Sequence, residues 1–129
     1  MSGSVLRLQA SILARTAREN DQTTLELRPA YLIQSENMPG VDPGVLWTRD
    51  VDLIFQAAEW RDDPPPENLT LNGGDITVNG ITHLDLLPMP LDLPGDIELE
   101  IRSDAGVFVI RGDHFELRPL GVGKYVKHV

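Results

Sequence analysis

The chain of 129 residues contains no cysteine. Disulfides, zinc–thiolate sites and cysteine nucleophiles are therefore excluded together, and packing alone must hold the fold. Such a chain fits a reducing compartment. The opening residues, Met1-Ser2-Gly3-Ser4-Val5-Leu6-Arg7, show no basic segment followed by an unbroken apolar run. No signal peptide is read there, and the cytoplasm is the expected location. Long apolar runs are missing too: no window reaches the roughly 18 uncharged residues that a membrane helix needs.

Positive charge is scarce. Eleven Lys and Arg face 20 Asp and Glu, a net charge of −9. Phosphate backbones are bound by clustered cations, so nucleic acid is not an expected partner. Aromatics are few as well: Tyr31, Trp47, Phe55, Trp60, Phe108, Phe115 and Tyr125 are the whole set.

What is abundant is punctuation. Turn-forming clusters fall at 19–22, 37–44, 61–68, 72–75, 88–96, 103–106 and 119–123. Breakers at that spacing leave little room for long helices and suit a sandwich or barrel. Between them the apolar residues recur with a period of two. Leu25, Leu27, Tyr31 and Ile33 alternate with Thr24, Glu26 and Arg28; Val51, Leu53, Phe55 and Ala57 alternate with Asp52 and Gln56; Phe115 and Leu117 alternate with His114, Glu116 and Arg118.

Two hairpins can be drawn in register. Turning at Ser103–Gly106 sets Ile101 beside Phe108, Leu99 beside Ile110 and Glu98 beside Arg111, two apolar pairs inside and an opposite-charge pair outside. Val107 and Val109 then face outward. Turning at Gly73-Gly74 sets Leu71 opposite Ile76 and Leu69 opposite Val78, because a two-residue loop with positive φ favours glycine. Val5–Arg18 reads as a strand, with Leu6, Leu8, Ala10, Ile12 and Ala14 on one face, closing a meander with 23–33; its residues also suit a helix.

Together these signs predict an all-β, single-domain antiparallel β-sandwich over 1–129, jelly-roll-like, of about eight strands, with a partly closed barrel as second choice. A domain of this size buries about two-thirds of its unfolded surface. The expected core is Leu25, Leu27, Tyr31, Ile33, Val51, Leu53, Phe55, Leu69, Leu71, Ile76, Val78, Leu99, Ile101, Phe108, Ile110, Phe115 and Leu117.

Chemistry is harder to find. His83 with Asp85, and His114 with Glu116, are spaced to share a strand face and are the weak candidates for a metal site. No His-x-His pair accompanies them, so neither a metal nor another cofactor is expected. Asp50 and Asp52, and Asp62, Asp63 and Glu67 around Pro64-Pro65-Pro66, lack the calcium-loop pattern. No Gly-x-Ser-x-Gly elbow surrounds Ser4, Ser11, Ser35 or Ser103. Gly121-Val122-Gly123-Lys124 reads as a turn rather than a phosphate loop, and the basic Lys124–Val129 as an edge guarded against aggregation. Leu84–Gly95, with three prolines among leucines, reads as a crossover along the sandwich edge. Trp47 and Trp60 either plug the ends of the core or present a binding surface.

The leading expectation is therefore a non-catalytic protein-binding module: an acidic inhibitor or immunity-type partner, or a homo-oligomeric structural protein. Its binding candidates are Trp47, Trp60, Asp62, Asp63, Met89 and Leu91. The alternative is a sugar- or metal-binding module or enzyme on a jelly-roll-like frame.

Overall fold

The computed structural model describes residues 3–35, 44–89 and 91–128. Most of the turn cluster at 37–44 lies outside them. Among the described residues there is no helix, and hence none long and apolar enough to cross a membrane. The described residues form ten strands: β1 (Gly3–Arg7), β2 (Ile12–Glu19), β3 (Gln22–Ser35), β4 (Gly44–Gln56), β5 (Glu59–Trp60), β6 (Leu69–Val78), β7 (Ile81–Leu84), β8 (Leu86–Met89), β9 (Leu91–Ser103) and β10 (Gly106–His128). The fold is all-β, antiparallel and sandwich-like, as the period of two requires. Strands β2, β6, β9, β10, β4 and β3 pair in that order, and β3 returns to β2, so the hydrogen bonding closes a ring. Below it the ends of β10, β4 and β3 continue with β1 and β8 as an open sheet.

Leu13, Leu25, Leu27, Val51, Leu53, Phe55, Leu71, Ile76, Leu99, Ile101, Ile110, Phe115 and Leu117 are buried in the main core. Leu69 and Phe108, expected inside, are only partly buried on its margin. In the lower sheet Tyr125, Trp47, Leu32, Leu6 and Leu87 lie opposite one another in one row across five strands.

Several expected faces change where the ladder slips. One extra residue in β3 shifts its register on β4 between Leu27 and Ala30, and a single-residue slip exchanges the two faces of a strand. Ala30 and Leu32 therefore enter the main core. Tyr31 and Ile33, expected beside Leu25 and Leu27, instead join a second cluster with Val5, Leu46 and Leu86. Val5–Arg18 is strand as expected, yet it breaks between β1 and β2, where Ala10 takes φ 71°. Beyond the break Leu13 is fully buried rather than Ile12 or Ala14. Ser11 fastens this corner: its buried hydroxyl donates to the Arg7 carbonyl at 2.7 Å and accepts from the Tyr31 N–H at 3.0 Å.

The β9–β10 hairpin has the expected register, Arg102 on Val107 through Glu98 on Arg111. The outer charges pair differently, however. Arg111 binds Asp96 at 3.2 Å, and Glu98 accepts from Arg61 at 2.8 Å. Val107 is exposed, but Val109 is buried and its carbonyl accepts from the Arg61 N–H.

The Gly73–Gly74 hairpin does not form. β6 continues through both glycines, with a bulge against β9 between Leu71 and Gly73, and the chain turns at Asn79–Gly80, where φ is 49° and 87°. That is the positive-φ pair of a two-residue hairpin. Val78 faces Ile81, and Thr77 faces Thr82 with hydroxyls 2.9 Å apart. Asn79 also ties the turn to β9: its N–H donates to the Asp96 carbonyl at 2.9 Å, and its Oδ1 accepts from the Asp96 N–H at 3.0 Å. Asn79→Ala places a Cβ-bearing residue without a local hydrogen bond in the left-handed region. It is expected to cost about 1–2 kcal/mol in urea unfolding. Asn79→Gly, which keeps the turn, should cost less; equal effects would show that the turn does not depend on left-handed geometry.

Candidate functional site

The chain leaves β4 at Ala57, with φ 49°, and Ala58 is buried. Two residues of β5 then lie along β10, Trp60 opposite Ile110 and Glu59 opposite Arg111. Because Ile110 points into the main core, Trp60 packs against the same core while its outer edge stays half-buried. After it the Asp62–Pro66 loop runs over the surface, anchored by buried Pro65.

Trp60 is the wall between two clefts. The larger, about 470 Å³, opens toward the β2–β3 hairpin and is bordered by Thr16, Arg18, Thr23, Glu59, Asp62 and Pro64. The smaller, about 260 Å³, lies toward β9 and β10 and is bordered by Glu59, Arg61, Glu98, Val109 and Arg111. Both rims carry charges of both signs. An indole that offers apolar area beside arginines is the composition of a binding hot spot. Thr16, Arg18 and Thr23 carry no mark in the sequence that assigns them to a site; they reach this place only because β2 and β3 pair up to Glu19↔Gln22.

The other candidates are dispersed. Trp47 lies against the main core, with its ring edge-on to Tyr125 at 5.9 Å between centroids. Its buried indole N–H has no hydrogen-bond partner among the described residues. Asp62 borders the larger cleft, whereas Asp63 is exposed in the loop. Met89 pairs with Ser4 and Leu91 with Leu117 through their backbones; their side chains lie outside the described ones. The crossover reading of 84–95 corresponds to β8, with Leu87 fully buried, leading into the start of β9.

Of the two His–carboxylate pairs, His114 and Glu116 share a face of β10 on either side of buried Phe115, whereas His83 and Asp85 are not aligned. His83 lies opposite Ile76 in β7, but Asp85 takes φ 59° beyond the strand's end. That turn breaks the alternation that would have aligned them, and the Asp85 carboxylate accepts from the Gln9 N–H at 3.2 Å. His114 contacts Asp92, while Glu116 holds Arg118 through both oxygens, at 2.8 and 3.2 Å. Among the described residues no three His, Asp or Glu side chains gather closely enough to hold a metal ion. Asp50 and Asp52 flank buried Val51 on the outward side of β4; Asp52 binds Arg28 at 2.7 Å, and Asp50 is exposed. Beside Gly73, a hydrogen bond to Asp75 raises the Arg102 pKa above its ordinary value, desolvation opposes it, and Glu100 adds to the rise.

Compared with known protein families, with curated proteins and with solved structures, the chain matches none of them.

Proposed function

We propose that this chain is a protein-binding module of the cytoplasm and that Trp60 anchors its partner. The observation that carries the reading is the position of that indole, half-buried on the core and shared as a wall by both clefts. Arg18 and Arg61 on its two sides supply donors in fixed forks, suited to carboxylates or backbone carbonyls of a partner. The acidic balance of the chain, −9 overall, turns a basic partner surface toward it and repels nucleic acid.

The test is capture of binding proteins on immobilised wild-type chain and on Trp60→Ala, followed by titration of each identified protein. Truncating a central aromatic anchor costs about 2 kcal/mol or more, so the variant should bind at least roughly 30-fold more weakly. Circular dichroism of the two proteins should agree. Equal affinities would remove Trp60 from the interface.

A second reading follows from the same cleft, because an indole face rimmed by Thr16, Thr23 and Asp62 also has the composition of a sugar subsite. Trp fluorescence of Trp47→Phe, which isolates Trp60, should then shift on titration with a glycan panel. A silent panel beside a Trp60-dependent protein complex supports the protein-binding reading.

A further inference from the structure

The larger cleft beside Trp60 lies where the ring of strands comes apart. Among the described residues β2 pairs with β6 only at Ile12 and Leu13. Beyond them the loop 61–68 spans the gap. The Arg61 N–H ties it to β10, donating to the Val109 carbonyl at 2.8 Å, and the Asn68 N–H ties it to β2, donating to the Ala14 carbonyl at 2.9 Å.

At this end the inward face of β2 and β3 changes from apolar to polar. Leu13 and Leu27 face one another in the core, whereas Arg18 faces Thr23. Thr23 lies opposite Phe55 on its other side and is only 2% exposed, and it borders the cleft. Its hydroxyl has no hydrogen-bond partner among the described residues. A buried polar group left open by its own fold is one that an outside ligand can satisfy.

The charges around the indole divide into used and unused. On the smaller cleft Arg61 is held by Glu98 at 2.8 Å and Arg111 by Asp96 at 3.2 Å. Glu59 and Asp62 flank the indole on the larger cleft; both are exposed, and neither forms an ion pair among the described residues. Free carboxylates beside an aromatic face attract a cation, because ring face and carboxylates favour the same sign. Arg18, on the β2 wall, is the opposing charge.

We propose that this cleft takes an arginine side chain of the partner protein. Its guanidinium stacks on Trp60, donates to Glu59 and Asp62, and donates also to the Thr23 hydroxyl. Arginine suits the site better than lysine, because its planar fork stacks and bonds two carboxylates at once. A partner carboxylate held by Arg18 is the disfavoured occupant, since it would meet one cation and two anions. The inference rests on the protein-binding reading and deepens it by naming what Trp60 receives.

The probe is the blocked tripeptide acetyl-Gly-Arg-Gly-amide, titrated into isotope-labelled protein and followed by NMR beside its lysine, citrulline and glutamate counterparts. The arginine peptide should shift the Trp60 indole N–H and the Thr23 amide saturably, the lysine peptide should bind several-fold more weakly, and the other two should give no saturable shift. The double variant Glu59→Gln, Asp62→Asn changes only exposed side chains, and it should bind the arginine peptide about tenfold more weakly. Arg18→Gln should bind it as tightly as wild type or more tightly. Equal shifts with citrulline, preference for glutamate, an unaffected double variant or weaker binding by Arg18→Gln would each overturn the proposal. The two readings fail separately. A captured protein that requires Trp60 yet binds the double variant unchanged ends the arginine inference and leaves the protein-binding reading standing. Saturable arginine binding beside captured proteins that ignore Trp60 supports the subsite and removes the indole as their anchor.

Discussion

Phe115→Ala is expected to lower the unfolding free energy by about 3–5 kcal/mol, the upper range for truncating one buried side chain. Phe115 is fully buried, lies directly opposite Phe55 across β10 and β4, and its ring sits 5.0 Å from that partner, tilted at 48°. Removing it forfeits the apolar transfer, the ring–ring contact and the contacts of every atom lining the hole. The hole cannot collapse easily, because Leu53, Leu117 and Ile110 around the same core are held by ladders on both sides. A domain of this size has roughly 5–15 kcal/mol to lose, so the variant should melt about 10–20 °C lower. Phe115→Leu should recover about half of the loss. A melting point within a few degrees of wild type for Phe115→Ala would mean that the ring is not closed around these two phenylalanines.

Gly74→Ala is expected to cost about 2–3 kcal/mol, unusual for the addition of a single methyl group. A Cβ on Gly74 would stand 2.5 Å from the Glu100 carbonyl oxygen and 2.9 Å from Leu8 Cδ1. The first contact is backbone in the paired strand β9, which cannot swing aside as a side chain can. Here the absence of a side chain is required by close packing, with Leu8 filling the space above β6. Gly123→Ala is the control: its Cβ would meet only ordinary contacts, the nearest at 3.7 Å. Thermal melts of the two variants should differ by several degrees. If they coincide, β6 does not approach β9 and Leu8 as described.

The same glycine shows where local reading fails. Gly73-Gly74 and Asn79-Gly80 are both acceptable two-residue turns in isolation, and each leaves plausible apolar pairs on its flanks. The choice rests on β9, whose Ile97, Leu99 and Ile101 need a long partner, and a continuous β6 supplies Val78, Ile76 and Gly74 opposite them. The asparagine of Asn79-Gly80, which tolerates the left-handed region, is the one letter that marks the turn in advance. The bulge between Leu27 and Ala30 is marked by Pro29, since proline within a strand is confined to edges and bulges, but the apolar run Ala30-Tyr31-Leu32-Ile33 after it does not say which residues then face the core. Of the candidate site, Trp60 could be singled out by residue type alone. Its neighbours Thr16 and Thr23 could not, since only the closure of β2 on β3 brings them to it.

By itself the sequence determined the class of fold, the antiparallel β9–β10 register and most of the buried faces. These follow from side chains sorted at every second position, a pattern that only strands with one face out of water satisfy. Tertiary structure decided which turn was used, where each strand changed face and which charges paired. Those outcomes depend on close approach between residues far apart in the chain, and their energies appear only once backbone meets backbone.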